Sequence, residues 1–185
     1  MKNKIGIIGQ GFVGTAVREG LKDFFNIETY DIAKESTCNT LDEICSKSKI
    51  LFVCLPTPMK AGGSCHIGIV EDVLEQIYAT GHCNTIIVKS TIPPGTTAMW
   101  NKKFEGIDIV FNPEFLTEAN SINDFKNQSR IIIGGPKKAA SKVRRLYTKA
   151  FPKVPIIKTD STYAEMVKYV TNCFLAMKVS FANEM

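Results

Sequence analysis

The segment from Gly9 to Gly14 has the residue types and the spacing of a phosphate-binding turn. It contains, in order, Gly9, Gln10, Gly11, Phe12, Val13 and Gly14. This G-x-G-x-x-G pattern follows an apolar run and opens a helical pattern, which is the context of a dinucleotide site. The first glycine permits a tight turn, the second lets backbone approach a pyrophosphate, and the third lets helix and strand pack closely. The helix N-terminus then faces the phosphates.

Asp31 lies 22 positions after Gly9, at the end of the second predicted strand. A carboxylate at this place accepts hydrogen bonds from the adenosine ribose hydroxyls and repels a 2'-phosphate. The glycine turn and Asp31 together therefore predict NAD, rather than NADP, as the cofactor. The alternative is a glycine turn followed by a surface aspartate.

Three polar segments, at residues 56–58, 90–97 and 112–118, end predicted strands further along the chain. The carboxyl ends of parallel strands meet at one edge of a sheet, where ligands bind, so these side chains should converge on one cleft. Lys168 and Asn172 are four positions apart on a predicted helix and should share a face. Such cationic and amide donors can stabilise an oxyanion, and a carboxylate such as Glu118 can take a proton.

The elements that would position these residues alternate along the chain. Short β-branched runs are followed by helical patterns, which predicts an α/β fold with a Rossmann-like, doubly wound, mostly parallel sheet. The predicted strands are residues 4–8, 27–31, 50–55, 85–89, 108–111, 130–133 and 155–158. The predicted helices are residues 13–24, 41–46, 67–79, 96–104 and 137–151. Residues 56–65 and 112–126 are predicted to be long loops, which usually carry function.

A long C-terminal helix is predicted from Thr162 to the end of the sequence. Its apolar seam consists of Tyr163, Val167, Val170, Phe174, Met177 and Phe181. Residues 173–182 are apolar on nearly every side, so we expect a homodimer partner or further protein to cover them. Thr162 and Glu165 have the spacing of a capping box, which gives Glu165 a structural explanation.

Composition excludes several classes of protein. The 185 residues suit one globular domain, and the 23 basic and 18 acidic residues are interspersed, so no nucleic-acid partner is expected. The basic residues of the helix at 137–151 are interpreted as a solvated face. No membrane span, signal peptide or metal site is predicted. The cysteines are predicted to be free thiols in a reducing cytoplasm; they are Cys38, Cys45, Cys54, Cys65, Cys83 and Cys173.

The fingerprint, the three polar segments and residues 164–172 together resemble the UDP-glucose/GDP-mannose dehydrogenase family over almost the whole chain. The resemblance implies oxidation of the C6 hydroxyl of a nucleotide sugar to a carboxylate in two NAD-dependent steps, through an aldehyde and a cysteine-bound thioester. It also implies a place in polysaccharide biosynthesis. On this basis residues 1–160 are the NAD-binding Rossmann domain and residues 161–185 start a long connecting helix. The family's central and C-terminal UDP-sugar-binding domains would then be absent.

The resemblance also implies roles for single residues. Glu118 is similar to the glutamate that assists water in thioester hydrolysis, Lys168 to the lysine that stabilises oxyanions, and Asn172 to the asparagine beside it. Thr91 resembles the threonine that holds the catalytic water. The implied cofactor contacts are Gly9, Gln10, Gly11, Phe12, Val13, Gly14, Asp31, Lys34, Thr57, Thr91 and Glu118. The implied substrate contacts are Glu114, Phe115, Leu116, Thr117, Glu118, Lys168 and Asn172.

Other interpretations stay open at this stage. Without the family, Glu118 is a solvated carboxylate and Lys168 a surface lysine. The family has arginine at the position of Thr117, and its basic residue after the ribose aspartate is displaced here to Lys34. Its nucleophilic cysteine belongs to a glycine-rich segment beyond this length, and Cys173 is predicted to face away from Asn172.

Three hypotheses follow for the chain as a whole. The first is the NAD-binding part of a nucleotide-sugar 6-dehydrogenase, as a piece of a longer protein or the product of a split gene. The second is a non-catalytic module that binds NAD(H). The third is a different, small dehydrogenase that is complete in itself.

Overall fold

The β-branched runs pair into one sheet in the computed structural model, which describes residues 4–82 and 85–185. Within these ranges the strands are β1 (Lys4–Ile8), β2 (Asn26–Tyr30), β3 (Leu51–Val53), β4 (Thr85–Val88), β5 (Asp108–Phe111), β6 (Ile131–Gly134) and β7 (Ile156–Thr159). The strand order across the sheet is β2-β1-β3-β4-β5-β6-β7. All neighbours pair in parallel except β5 and β6, which meet antiparallel at Phe111 and Gly134. The predicted fold class is confirmed.

Helices cover both faces of the sheet. They are α1 (Phe12–Leu21), α2 (Leu41–Lys47), α3 (Gly68–Thr80), α4 (Thr96–Lys103), α5 (Ser121–Lys126), α6 (Lys137–Ala150) and α7 (Ser161–Glu184). The apolar sides of α1, α5 and α6 pack with one face of the sheet, and those of α2, α3, α4 and the start of α7 pack with the other. Side chains alternate along a strand, so adjacent isoleucines such as Ile7 and Ile8 enter opposite cores.

The prediction of one long loop over residues 112–126 is wrong. A short 3-10 helix (Glu118–Asn120) leads into α5 within that segment. The Phe125 ring of α5 is buried against Gly20 of α1, where any Cβ would overlap the ring. A helix of only six residues shows little hydrophobic periodicity of its own, so packing on α1 stabilises its conformation.

The capping-box interpretation of Thr162 and Glu165 is also wrong. α7 begins one residue earlier, because the carboxylate of Asp160 accepts a hydrogen bond from the backbone N–H of Thr162 at 2.8 Å. Glu165 is instead fully buried and accepts hydrogen bonds from the N–H groups of Gly95 (2.6 Å) and Thr97 (2.8 Å). Glu165 therefore caps the start of α4 and ties it to α7.

The second half of α7 is exposed to solvent. Residues 172–185 are all exposed, including Phe174, Met177 and Phe181. The other departures from prediction are small shifts at the ends of elements: β3 ends at Val53 rather than residue 55, and α1 ends at Leu21 rather than residue 24.

Candidate active site

A cleft of about 630 Å³ opens at the edge of the sheet where the strand order reverses. β1 and β3 are neighbours there, and the chain continues from them to opposite sides of the sheet, which is where ligands bind in doubly wound folds. Gly9 and Gly11 after β1 line the cleft, together with Cys54 and Leu55 after β3. Its volume and largely apolar lining suit a small organic ligand.

The glycine turn has the geometry that a dinucleotide requires. Gly9 has φ +89°, a conformation that favours glycine, and a Cβ on Gly14 would overlap the carbonyl oxygen of Gly9. A Cβ on Gly11 would meet nothing within 4 Å, so this backbone borders open space. Phe12 and Val13 open α1 and line the cleft, and no acidic residue lies in the first turn. The positive end of the helix dipole thus fits a pyrophosphate.

Asp31 directly follows β2 and lines the same cleft. Its carboxylate accepts hydrogen bonds from the backbone N–H groups of Gln10 (2.6 Å), Ala33 (2.8 Å) and Lys34 (3.1 Å). Partial burial would raise the pKa of Asp31, but these three donors and the nearby Lys34 charge hold that pKa below its usual value. Asp31 is therefore a fixed anion at neutral pH, ready to accept ribose hydroxyls.

Gln10 and Lys34 shape the turn around Asp31. The Lys34 ammonium donates to the carbonyl oxygen of Gln10 at 2.7 Å. The Gln10 side chain is buried, donates to the Glu35 carbonyl and the Ser36 hydroxyl, and accepts from Arg18. The side chain of Gln10 thus supports the loop after β2 instead of lining the cleft.

The segment from Glu114 to Thr117 borders a second cavity, of about 360 Å³. Lys168 reaches this segment from α7 and donates to the Glu114 carbonyl oxygen (2.6 Å) and to its carboxylate (2.7 Å). The side chains of this ion pair are only 6% and 10% exposed. The Phe115 ring lies 5.8 Å from the Lys168 ammonium. The interpretation of Lys168 as a surface lysine is therefore wrong.

A third cavity, of about 370 Å³, brings together predicted residues from three elements. Thr57 donates its hydroxyl to the carbonyl oxygen of Thr91 at 2.7 Å, and Asn172 of α7 lines the same space. Cys173, the next residue of α7, lines this cavity too. Asn172 and Cys173 follow Tyr169 by three and four positions, so each is a neighbour of Tyr169, which also lines the cavity.

Glu118 is exposed at the start of the 3-10 helix, and it lines none of these three cavities. Thr57 and Thr91 line the third cavity rather than the cofactor cleft. The structure thus gathers the glycine turn and Asp31 in one place, Glu114 and Lys168 in a second, and Thr57, Thr91 and Asn172 in a third. The catalytic and binding roles of these residues stay predictions.

Lys89, which no sequence motif singled out, lies between the cofactor cleft and the second cavity and lines both. Its side chain follows β4, is buried, and donates to Asn112 at 2.9 Å. Burial lowers the pKa of Lys89 to about 8. The signal was a lysine placed directly after an apolar strand and before the polar segment at residues 90–97.

Cys38, Cys45, Cys54, Cys65 and Cys173 are free thiols, and Cys83 lies outside the described residues. Burial raises the pKa of Cys54 to about 12. Within residues 4–82 and 85–185, no cluster of His, Cys, Asp and Glu side chains could hold a metal ion, and no helix has the length and apolarity needed to cross a membrane.

A cleft built from a glycine turn, an open helix N-terminus and an acidic residue after β2 defines a dinucleotide-binding domain of the kind that holds NAD. The chain belongs to the UDP-glucose/GDP-mannose dehydrogenase family. Residues 32–151 match the model of that family's NAD-binding domain, and residues 162–185 match the model of its central domain. The predictions of the family and of NAD as its cofactor are thereby confirmed.

Relatives and solved structures agree with this assignment. The chain is similar to the UDP-glucose 6-dehydrogenases YwqF (30% identity over 91% of the chain) and TuaD (35% over 79%) of Bacillus subtilis. It covers 41% and 33% of those two proteins. A UDP-glucose dehydrogenase from Pyrobaculum islandicum superposes on all of the chain with a TM-score of 0.87 and 28% identity, and the chain covers 52% of it. The chain thus spans between 33% and 52% of the lengths of these three proteins.

Proposed function

We propose that this chain provides the NAD-binding part of a cytoplasmic nucleotide-sugar 6-dehydrogenase that serves polysaccharide biosynthesis. Residues 1–160 form the cofactor domain and residues 161–185 start the connecting helix. The observation that carries the proposal is the buried ion pair of Lys168 and Glu114, which lies beside the second cavity. Lys89 lines both this cavity and the cofactor cleft, so the two sites are neighbours. A buried cation next to a cofactor site suits a substrate whose reacting oxygen gains negative charge.

Each predicted residue has a distinct task in this proposal. Bound NAD supplies the acceptor for hydride from C6 of the sugar. Lys168, fixed by Glu114, and Asn172 donate hydrogen bonds to the oxygen at C6, while the segment 114–117 lines the sugar. Thr91 holds a water, and Glu118 moves from its exposed position to take a proton from that water. The nucleotide sugar is UDP-glucose or a related compound.

The second oxidation requires a thiolate within reach of the aldehyde. Cys54 does not suit this task, because its raised pKa keeps it protonated. Cys65 and Cys173 line the third cavity, and neither lines the second cavity that Glu114 borders. We expect the 185 residues alone to bind cofactor without releasing sugar acid. Steady formation of NADH at 340 nm from UDP-glucose, lost in Lys168→Ala, would contradict this.

A second candidate function is a non-catalytic NAD(H)-binding module. The exposure of Glu118 and the presence of Thr117 where the family has arginine favour it. Both candidates share the cofactor cleft, so cofactor binding alone does not separate them.

A chimera separates the two candidates. Residues 1–185 replace the matching part of TuaD, and NADH formation is measured with UDP-glucose. The dehydrogenase proposal predicts two NADH per sugar and a loss on the order of 100-fold or more in Lys168→Ala, typical of a lost oxyanion donor. A chimera that binds NADH and shows a single cooperative melting transition, yet forms no NADH, would establish the non-catalytic module instead.

We further propose that the chain self-associates through α7. Phe174, Met177 and Phe181 are between 53% and 68% exposed, and α7 presents them together with Leu175 and Val179. An apolar surface of this extent is typical of an interface. A homodimer, or protein that follows in a longer chain, would cover it.

A further inference from the structure

Lys89 is a buried cation with few partners. Its residue is 3% exposed, and its ammonium, which has three N–H donors, donates to one acceptor among the described residues, Asn112 Oδ1 at 2.9 Å. No carboxylate within the described ranges lies within 4.0 Å of it. The nearby carboxylate of Glu114 is already paired with Lys168 at 2.7 Å.

Asn112 is fixed in place from two other directions. Its Oδ1 also accepts the Tyr147 hydroxyl at 2.5 Å, and its Nδ2 donates to the Ile132 carbonyl at 2.6 Å. The Phe125 ring lies 5.8 Å from the Lys89 ammonium on another side. Asn112 therefore holds the Lys89 ammonium in position without supplying a negative charge. A buried ammonium without a countercharge lowers the stability of the fold, and such groups are common at functional sites.

The position of Lys89 in the sheet places it at one end of the cofactor cleft. Asp31 follows β2 and Lys89 follows β4, so two strands, β1 and β3, separate them. Three strand spacings correspond to about 14 Å. With the adenosine ribose at Asp31 and the pyrophosphate at the start of α1, the nicotinamide end of the cofactor belongs at the β4 side, next to Lys89.

We infer that Lys89 sets the preference of this site for the reduced cofactor. The nicotinamide ring of NAD⁺ carries a positive charge, whereas that of NADH is neutral. A buried ammonium at this end of the cleft repels the oxidised ring and tolerates the reduced one. The chain therefore binds NADH more tightly than NAD⁺, on the order of ten-fold, which equals about 1.4 kcal/mol. The inference rests on the cofactor assignment and is independent of the sugar substrate.

The preference depends on pH because the charge of Lys89 does. Burial lowers the pKa of Lys89 to about 8, and the neighbouring Lys168 charge lowers that pKa further, while the Glu114 carboxylate acts in the opposite direction. Cys54 and Tyr147, which also face it, have raised pKa values and stay neutral over this range. As pH rises through 8, Lys89 loses its proton and the repulsion of NAD⁺ disappears. NAD⁺ binding also lowers the Lys89 pKa, so NAD⁺ releases protons on binding near neutral pH and NADH does not.

Calorimetric titration of the full chain with NAD⁺ and with NADH tests the inference directly. Titrations of the wild-type chain at pH 7.5, in two buffers of different ionisation enthalpy, measure the protons released when the cofactor binds. We expect NAD⁺ binding, but not NADH binding, to release protons. We also expect a ten-fold preference for NADH at pH 6.5 that becomes smaller at pH 9. Equal affinities at pH 6.5, or no difference in proton release, would overturn the inference. Failure of both cofactors to bind would instead overturn the cofactor assignment.

Two substitutions locate the effect at Lys89. Lys89→Met should tighten NAD⁺ binding about ten-fold, leave NADH binding within three-fold, and abolish the proton release. Lys89→Arg should keep the preference for NADH at pH 9, because arginine retains its charge there. Lys138→Met, an exposed lysine on α6, is the control and should behave as wild type. If Lys89→Met does not fold, loss of the preference at pH 9 in Lys89→Arg would still contradict the inference.

Discussion

At the scale of single residues, the buried ion pair between Lys168 and Glu114 makes a contribution to the free energy of unfolding that substitutions can measure. The Glu114 carboxylate also accepts the N–H of Leu116 at 2.7 Å, so each of its oxygens has a partner. Removing the lysine leaves a buried carboxylate without its countercharge, which typically costs 3–5 kcal/mol. The pair therefore contributes to the shape of the segment 114–117 as well as to any chemistry.

Lys168→Met should lower the free energy of unfolding by about 3 kcal/mol in urea titrations at pH 7. The double variant Lys168→Met with Glu114→Gln should recover part of the loss, because no unpaired charge remains. Lys47→Met is the matched control, since its pair with Glu43 is at the surface, and we expect no measurable change. A Lys168→Met protein as stable as wild type would show that the pair is solvated in solution.

At the scale of elements, the junction of α4 and α7 depends on Glu165. Its carboxylate supplies acceptors for two N–H groups at the start of α4, where a helix has unpaired donors and a positive dipole. Glu165→Ala should cost about 1–3 kcal/mol because it leaves these donors without acceptors. Thr162→Ala should cost less than about 0.5 kcal/mol, because Asp160 caps α7. Thermal unfolding of the two variants decides between this geometry and a capping box, which predicts a large effect of Thr162→Ala.

The exposed part of α7 leads to a prediction of its own. Sedimentation velocity should show a dimer or larger species for the chain at high concentration, because its apolar seam is open to water. Phe174→Ser combined with Phe181→Ser should shift the distribution toward monomer. Met99→Ser, which changes an exposed apolar side chain of α4 outside the seam, is the control and should leave the distribution unchanged. A wild-type monomer at high concentration would contradict the proposed interface.

Sequence patterns were sufficient for the elements that carry their own periodicity. The strands β1 and β5 match their predicted limits, and the glycine turn and Asp31 meet in one cleft, because both features follow from local spacing. The α5 turn and the role of Glu165 depend on contacts with residues far away in the chain, Gly20 and Gly95. The burial of Lys89 was missed for the same reason, since a lysine after a strand is usually solvated.

At the scale of the whole molecule, the sheet sets the arrangement of the sites. The reversal of strand order between β1 and β3 opens the cofactor cleft, and the ends of β4 and β5 place Lys89 and Asn112 at its far side. α7 then returns across this edge and brings Lys168 to the segment after β5. The fold thus couples the cofactor cleft to the second cavity through a single buried lysine.

The assignment of NAD to this cleft depends on Asp31, and competing titrations of NAD and NADP check it. We predict that NAD binds at least about ten-fold more tightly than NADP, because a 2'-phosphate would meet the fixed Asp31 carboxylate. Asp31→Asn should narrow this difference, and Asp72→Asn, an exposed carboxylate on α3, should leave it unchanged. Equal affinity for the two cofactors, or a preference for NADP, in the wild-type chain would contradict the account.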